Sequence, residues 1–476
     1  MTVKGRKKIS HIAPKQNLQN MQVDFLVGLR IMEQLGKRRP SPHDTVHERD
    51  DELIKILNWF TLCLVSDSSL PYHDIACTMS AVPGLVTVYF TKGSAHPPNK
   101  HDHESVSLFL GTLHKVLADD LDSTAALQNF LSMLAVKTFP EVYRKLALIG
   151  TTEGNDPRRT YDRFCGLVDT WRKCRPQGEE SSGLVVIAQN VRGSAEYATE
   201  LLMECVLNLM CLEPVAHPAD VDAKNAYMLP VLEACTLVTA STFFHDLVQS
   251  DSAFRVSLEI NDVLFLHELL KRIIAVARYR SGCAAFAGRG IQNLKDILGK
   301  EGIANFVTGK GGIVVSWISR RHSRPYRLYH WPTSPHAEIM QLLELETLAI
   351  DDLDDELREY IARTEPVTKM WKKGGAVTPV LHCELQMILY LEKHGISVVG
   401  NSIGMNQPPC WACHCYMKKR KSVPESVQWT MSHTTGRPRG YWRIPPGNPD
   451  MAVLVLRALD KKVEHAVEEY AYECYP

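Results

Sequence analysis

The sequence has no excess of charge of either sign, because 54 lysine and arginine residues balance 54 aspartate and glutamate residues. Without a basic field over the whole molecule, any binding to nucleic acid would have to be local. No fixed repeat period recurs along the 476 residues, so a solenoid is not supported. A chain of this length with 45% hydrophobic residues can instead bury the cores of two to three domains.

The sequence also lacks the features of an exported protein. Residues 1–8 are basic, but no apolar signal core follows them, and no stretch approaches 18 uncharged apolar residues. The 13 cysteines show no regular spacing, which is typical of a reducing compartment. We therefore expect a cytoplasmic or nuclear protein without a membrane partner.

Hydrophobic patterning divides the chain into three parts. Residues 1–50 combine a basic tail, a linker and an amphipathic helix with one apolar face, formed by Met21, Phe25, Leu29 and Met32. Residues 51–300 are predicted to be mainly helical, with unknown role and unknown protein partners, apart from a clear strand at 85–90. Residues 301–476 have the mixed character of an α/β domain.

Three segments of this last part have strand character. Residues 313–318 and 326–329 are separated by a polar turn, which predicts the opening hairpin of a sheet. Residues 396–400 are β-branched and end at a glycine, which predicts a buried strand between two helices. In such a helix–strand–helix unit, both helix starts can meet near one edge of the sheet.

Two short motifs carry the clearest chemistry, His382-Cys383-Glu384 and Pro409-Cys410-Trp411-Ala412-Cys413. They supply three zinc ligands and one carboxylate in the HxE and PCxxC arrangement of zinc-dependent deaminases. Catalytic zinc takes three protein ligands and leaves a fourth position for water, whereas structural zinc is usually closed by four side chains. His382, Cys410 and Cys413 make three. Both motifs open predicted helices, where free N–H groups favour thiolates.

The chemistry expected of such a site follows from the ion. Zn²⁺ lowers the pKa of its bound water to about 7, and the resulting hydroxide can attack C4 of cytosine or C6 of adenine. Glu384 is not a ligand, so it can act as the proton shuttle, first as base and then as acid. We expect hydrolytic deamination of a nucleobase, in nucleic acid or in a nucleotide.

Other interpretations of the cysteines stay open. A lone CxxC is common in redox sites and zinc knuckles, although the upstream HxE favours a deaminase. His414 or Cys415 could add a fourth ligand and close a structural site. In a further alternative, the zinc site is intact but catalysis has been lost, and the chain is a binding module.

Substrate contacts are less clearly marked. Trp411 and Trp442 lie close to the cysteines in sequence and could stack on a flipped base, although core packing is the commoner fate of tryptophan. The basic run at 418–421 could contact phosphate, act as a nuclear import signal or complement a helix dipole. His96, His101 and His103 are interpreted as a surface loop and not as a metal site.

The motifs also carry a family resemblance, over residues 382–386, 403–413, 432–433, 436 and 441–445. They resemble a fungal deaminase family that is similar to Orientia-type bacterial toxin deaminases, within the cytidine deaminase-like superfamily. The resemblance covers residues 381–446 and implies zinc at His382, Cys410 and Cys413 with Glu384 as proton shuttle.

The resemblance implies a mixed sheet flanked by helices. Together with the patterning, it predicts an α/β fold class, with a cytidine deaminase-like α-β-α sandwich at the C-terminus, in residues 301–476, after a mainly α-helical N-terminal region. The same motifs make Asn406 and His433 candidates for substrate contact. The chain departs from the family at Asn406-Gln407, where Ser-Lys is frequent.

Overall fold

The protein is a mixed α/β structure, as the sequence predicts, within the residues that the computed structural model describes. These are 52–64, 74–93, 98–150, 156–174, 220–249, 251–318, 379–421, 427–432, 442–445 and 449–474, with short stretches at 21–22, 26, 28–29, 32, 152, 204, 206–207, 326–327 and 376–377. The finer cytidine deaminase-like layering of the C-terminal part stays a prediction.

Helices account for most of the described residues before β3. The α-helices, in chain order, are α1 (Glu52–Leu64), α2 (Lys100–Ala118), α3 (Ser123–Gly150), α4 (Pro157–Cys174), α5 (Val221–Thr239), α6 (Thr242–Val248), α7 (Ala253–Ser257), α8 (Ile260–Ala285), α9 (Ile291–Val307), α10 (Cys383–Lys393), α11 (Trp411–Arg420) and α12 (Pro449–Cys474). A π-helical turn, Phe286–Gly290, joins α8 to α9. The mainly helical character predicted before residue 300 is confirmed for the described ranges.

The strands form two sheets. The larger sheet has the order β3-β2-β1-β6-β7, and its strands are β1 (Ile75–Val82), β2 (Leu85–Lys92), β3 (Ile313–Trp317), β6 (Ser402–Met405) and β7 (Thr430–Met431). The two strands of the small sheet are β4 (Tyr326–Arg327) and β5 (Ala376–Val377). β1 is antiparallel to both β2 and β6, whereas β3 is parallel to β2 and β7 is parallel to β6. Strands from both sides of residue 300 therefore belong to one sheet.

Two strand predictions are wrong in detail. β3 and β4 do not form a hairpin, because β3 pairs with β2 and β4 pairs with β5. A local pattern shows that a segment is extended but not which distant edge it joins. The strand expected at 396–400 lies instead at β6, because Gly400 has a φ of +60° inside a 3₁₀ turn, Val399–Asn401. That left-handed backbone ends any extended run.

The larger sheet separates two hydrophobic cores. Along β1, Ile75 and Cys77 belong to the core shared with α1 to α9, whereas Ala76 belongs to the core that includes side chains of α10, α11 and α12. This alternation is what the two-residue period of a strand produces. Met21 and Leu29 of the predicted amphipathic helix are helical and buried in the second core, while Phe25 lies outside the described residues.

Two of the three histidines predicted to lie in a surface loop are instead at the start of a helix, and His96 lies outside the described residues. His101 and His103 belong to the first turn of α2, which Asn99 caps together with Asp102 in a reciprocal capping box. Asp102 also accepts a hydrogen bond from Lys92 Nζ at 2.7 Å, in a buried ion pair. The loop prediction for these two residues is wrong because the capping box of Asn99 and Asp102 starts a helix at Lys100, inside a stretch with polar, loop-like composition.

No single described helix is long and apolar enough to span a membrane. The bent pair α5 and α6, with 48° between the two helices, meets the length and composition criteria only when both are taken together.

A close approach of α1 to β6 depends on a glycine. A Cβ built on Gly404 would lie 2.3 Å from the backbone carbon of Leu57 and 2.5 Å from the backbone nitrogen of Asn58. Real Cβ atoms do not come this close to main chain, so no side chain fits between the helix and the strand.

We expect Gly404→Ala to lower the free energy of unfolding by about 2 kcal/mol or more, because the helix or the strand would have to move. The measurement is guanidinium unfolding followed by circular dichroism. The matched control is Gly111→Ala in exposed α2, where no atom lies within 4 Å of the new Cβ. That change should stabilise the protein by about 0.5–1 kcal/mol, since alanine is the better helix former. Equal effects of both changes would contradict the close-packing argument.

Candidate metal and active site

The zinc-ligand candidates lie where two helices begin. His382 is the N-cap residue of α10 and Cys410 is the N-cap residue of α11, each with extended backbone, and Cys413 follows in the first turn of α11. The predicted helix starts are confirmed at both motifs. Helix N-termini present unsatisfied N–H groups and a partial positive charge, which suit thiolates and anions.

The three side chains converge on one point. Cys410 Sγ lies 3.4 Å and Cys413 Sγ 3.3 Å from His382 Nδ1, and all three side chains are at most 5% exposed. A tetrahedral zinc ion with its usual bond lengths requires about 3.6 Å between a sulfur and a nitrogen ligand. The donor set therefore fits a zinc ion, with small adjustments of the side chains.

The described residues offer three donors to this site. The group of His, Cys, Asp and Glu residues with ligand atoms within 4.8 Å of one another consists of His382, Cys410 and Cys413. His414 is exposed, and Cys415 packs in the second core, so neither belongs to this group. Three donors leave the fourth tetrahedral position for water or substrate, as in a catalytic site.

The two thiols have opposite electrostatic environments. Burial alone would raise the pKa of Cys410, but its hydrogen bond with Cys413 and the neighbouring imidazole of His382 hold that pKa well below its ordinary value. Burial, the hydrogen bond and charge of Cys410, and the Glu384 carboxylate raise the pKa of Cys413 well above its ordinary value. A divalent cation is what would hold both sulfurs as thiolates.

Glu384 lies beside the donors and outside their group. Its side chain is buried, with Oε1 3.9 Å from His382 Nδ1, and Oε2 accepts a hydrogen bond from Cys383 Sγ at 3.4 Å. A carboxylate in this position can reach groups at the metal without occupying a coordination site. Its first-turn position in α10 fixes this placement relative to His382.

Trp442 contacts a ligand sulfur directly. Its indole Nε1 donates a hydrogen bond to Cys413 Sγ at 3.1 Å, and the residue is completely buried. Trp442 also forms a parallel bridge with Val380, two residues before His382. Hydrogen bonds from the surroundings to a ligand tune its charge and orientation. In this position the indole supports Cys413 and offers no exposed face for a base.

The other three candidates for substrate contact have different surroundings. Asn406 Oδ1 accepts a hydrogen bond from the Ile75 N–H at 2.8 Å, so this side chain joins the ends of β6 and β1. Trp411 is the first residue of α11 and is half-buried beside Cys410. His433 lies outside the described residues. Contact of these residues with a substrate stays a prediction.

Two side chains that are not among the predicted site residues hold the backbone on either side of His382. Gln386 Nε2 donates to the Leu381 carbonyl at 2.5 Å, and Thr91 Oγ1 donates to the Cys383 carbonyl at 2.9 Å. Gln386 could have been found from its position four residues after His382 on one helix. Nothing in the sequence points to Thr91, which comes from β2.

The basic run at 418–421 has a structural use at one position. Arg420 forms an ion pair with Glu392 of α10, and the same carboxylate accepts a hydrogen bond from Trp429 Nε1 at 3.1 Å. This contact joins the C-terminal ends of α10 and α11, whose N-terminal ends carry the candidate metal ligands. Lys418 and Lys421 are exposed at the end of α11, where positive charge complements the helix dipole.

Comparison with known proteins gives one match. The family model described as OTT_1508_deam-like deaminase matches residues 381–446, which contain His382, Glu384, Cys410 and Cys413. No curated protein and no solved structure matches the chain. The resemblance drawn from the motifs is confirmed for this segment, since residues 381–446 match the model of a deaminase family that is cytidine deaminase-like, while a fungal family stays a prediction.

Proposed function

We propose that the protein is a zinc-dependent enzyme that hydrolytically deaminates a nucleobase, cytosine or adenine, in nucleic acid or in a nucleotide. The observation that carries this proposal is the convergence of His382, Cys410 and Cys413, with Glu384 beside them, inside the segment matched by a deaminase family. The family match supports deamination, and the donor set supports zinc.

The reaction replaces an exocyclic C–N bond of the base with a C–O bond and releases ammonia. A zinc ion in this site would supply the charge that makes water acidic enough to react near neutral pH. Glu384 takes a proton from the attacking water and passes it to the departing amino group, so it acts first as base and then as acid. Its position 3.9 Å from His382 Nδ1 supports this role.

Hydrogen bonds from the surrounding residues hold the candidate zinc ligands in position for this reaction. Thr91 and Gln386 fix the peptide groups next to His382, and Trp442 donates a hydrogen bond to Cys413. Preorganised donors of this kind avoid the cost of ordering the site during the reaction. Burial of Glu384 excludes bulk water, which would otherwise compete for the transferred proton.

We expect Glu384→Gln to keep one zinc ion per chain and to lower the rate of ammonia release about 10²- to 10⁴-fold, because the amide cannot accept the proton. Zinc content is measured by elemental mass spectrometry, and ammonia release is followed with cytosine and adenine nucleosides, nucleotides and single-stranded oligonucleotides. The matched control is Glu301→Gln, an exposed position on α9, which should leave both values unchanged.

Parent-like ammonia release by Glu384→Gln would rule out the shuttle role of this residue. A parent chain that binds one zinc ion but releases no ammonia from any substrate would favour the alternative, an inactive zinc protein that acts as a binding module.

We also expect Trp442→Phe to weaken zinc binding about 10- to 100-fold, since the ring is kept but the hydrogen bond to Cys413 Sγ is lost. Competition with a coloured chelator measures the affinity. Trp317→Phe is the control, because the buried Trp317 Nε1 has no hydrogen-bond partner in the described part of the chain. Unchanged zinc affinity in Trp442→Phe would show that this hydrogen bond does not support the ligand.

A further inference from the structure

A cavity with a mixed polar and apolar lining lies between α1 and α8, apart from the zinc-ligand group. Its volume is about 280 Å³, and its lining residues include Lys55, Asn58, Thr239, Arg278 and Ser281. His382, Cys410 and Cys413 do not line it. It adjoins the first core, whereas both ligand cysteines pack in the second core, on the other side of the sheet.

The lining of this cavity is positively charged. Lys55 and Arg278 are among its lining residues, and no aspartate or glutamate is. Burial lowers the pKa of Arg278 to about 10, which still leaves the group charged at neutral pH. Two cations placed together without an acidic side chain in the lining create a local potential that attracts anions.

The remaining polar groups suit an oxyanion. Ser281 contributes a hydroxyl group to the lining, whereas the hydroxyl of Thr239, which also lines the cavity, donates a hydrogen bond to the Thr236 carbonyl at 3.0 Å. Guanidinium and ammonium groups with hydroxyl donors are the combination that binds phosphate oxygens, and Arg matches their planar spacing with two parallel N–H donors.

One wall of the cavity is rigid. A Cβ on Gly282 would lie 2.5 Å from Trp59 Cβ, so α8 is in close contact with α1 at this point. The Trp59 ring stacks on Phe286 with centroids 5.1 Å apart and meets Phe130 edge-on at 5.5 Å. Close packing of this kind keeps the cavity from collapsing.

The cavity also lies close to β6, which belongs to the segment matched by the deaminase family. Asn58, which lines it, accepts a hydrogen bond from the Met405 N–H at 2.7 Å and donates one to Ser432 Oγ at 2.8 Å. Met405 ends β6, five positions before Cys410. A ligand in the cavity would therefore lie against the helix that holds this strand.

We propose that this cavity binds the phosphate group of a small molecule, with Lys55 and Arg278 as the charged contacts. The volume lies near the lower end of the range for ligand sites, about 300–1,000 Å³, which suits a free phosphate or a small phosphate ester and not a polymer strand. The site is separate from the deamination chemistry, so the proposal holds whether or not the zinc site is active.

The test is isothermal titration of the full-length chain with inorganic phosphate and with ribose 5-phosphate, at ionic strength matched with sodium chloride. We expect saturable binding of at least one of them at one site per chain, weakened about 10- to 100-fold in Lys55→Gln and in Arg278→Gln through loss of a charge-assisted hydrogen bond. Tighter binding of ribose 5-phosphate identifies an organic ester as the ligand, and equal binding identifies the phosphate group alone.

Lys300→Gln, an exposed lysine of α9, is the matched control and should bind as the parent does. Should Arg278→Gln fail to fold, the exposed Lys55 still provides the test. The absence of saturable binding to the parent, or parent-like binding by Lys55→Gln, would overturn the proposal. Equal weakening in Lys300→Gln would also overturn it, because only net charge would then matter.

Discussion

The structure of the C-terminal part depends on bringing two helix N-termini together at one buried point. An imidazole and two sulfur atoms are held within 3.4 Å contacts there, with a carboxylate alongside. Burying such groups costs free energy unless hydrogen bonds or a cation compensate. Trp442 donates a hydrogen bond to Cys413 Sγ, and Thr91 and Gln386 of α10 itself fix the backbone carbonyls of Cys383 and Leu381. Two other segments of the chain, those of Trp442 and Thr91, therefore have to pack against α10 and α11.

The segment matched by the deaminase family is therefore completed by distant residues. Within residues 381–446, β6 pairs with β7 over only two residue pairs, and its other neighbour is β1, more than 300 positions earlier. Two- to four-residue strands are too short to be stable alone. The close contact of α1 with Gly404, and the hydrogen bond that Asn58 Oδ1 accepts from the Met405 N–H, add further support from the N-terminal side.

The sequence predicts local features well and distant pairings poorly. His382, Cys410 and Cys413 were identifiable because metal ligands and helix starts are encoded in sequence motifs only a few residues long. Both helices begin where expected. The partner of β3 was not identifiable, since the sequence of an extended segment does not specify which strand it pairs with. The shift of β6 traces to one glycine, Gly400, and Thr91 became visible as a contact of Cys383 only in three dimensions.

The insertion of α2 to α9 between two neighbouring strands has a consequence for synthesis on the ribosome. β2 and β3 are adjacent and parallel, yet α2 to α9 lie between them in sequence, and β6 is made roughly 310 residues after β2. At a translation rate of about 5–20 residues per second, about 15–60 s pass between the synthesis of the β1–β2 hairpin and that of β6. During that time an edge of β1 has no strand to pair with, so a nascent chain of this protein is expected to need protection from chaperones.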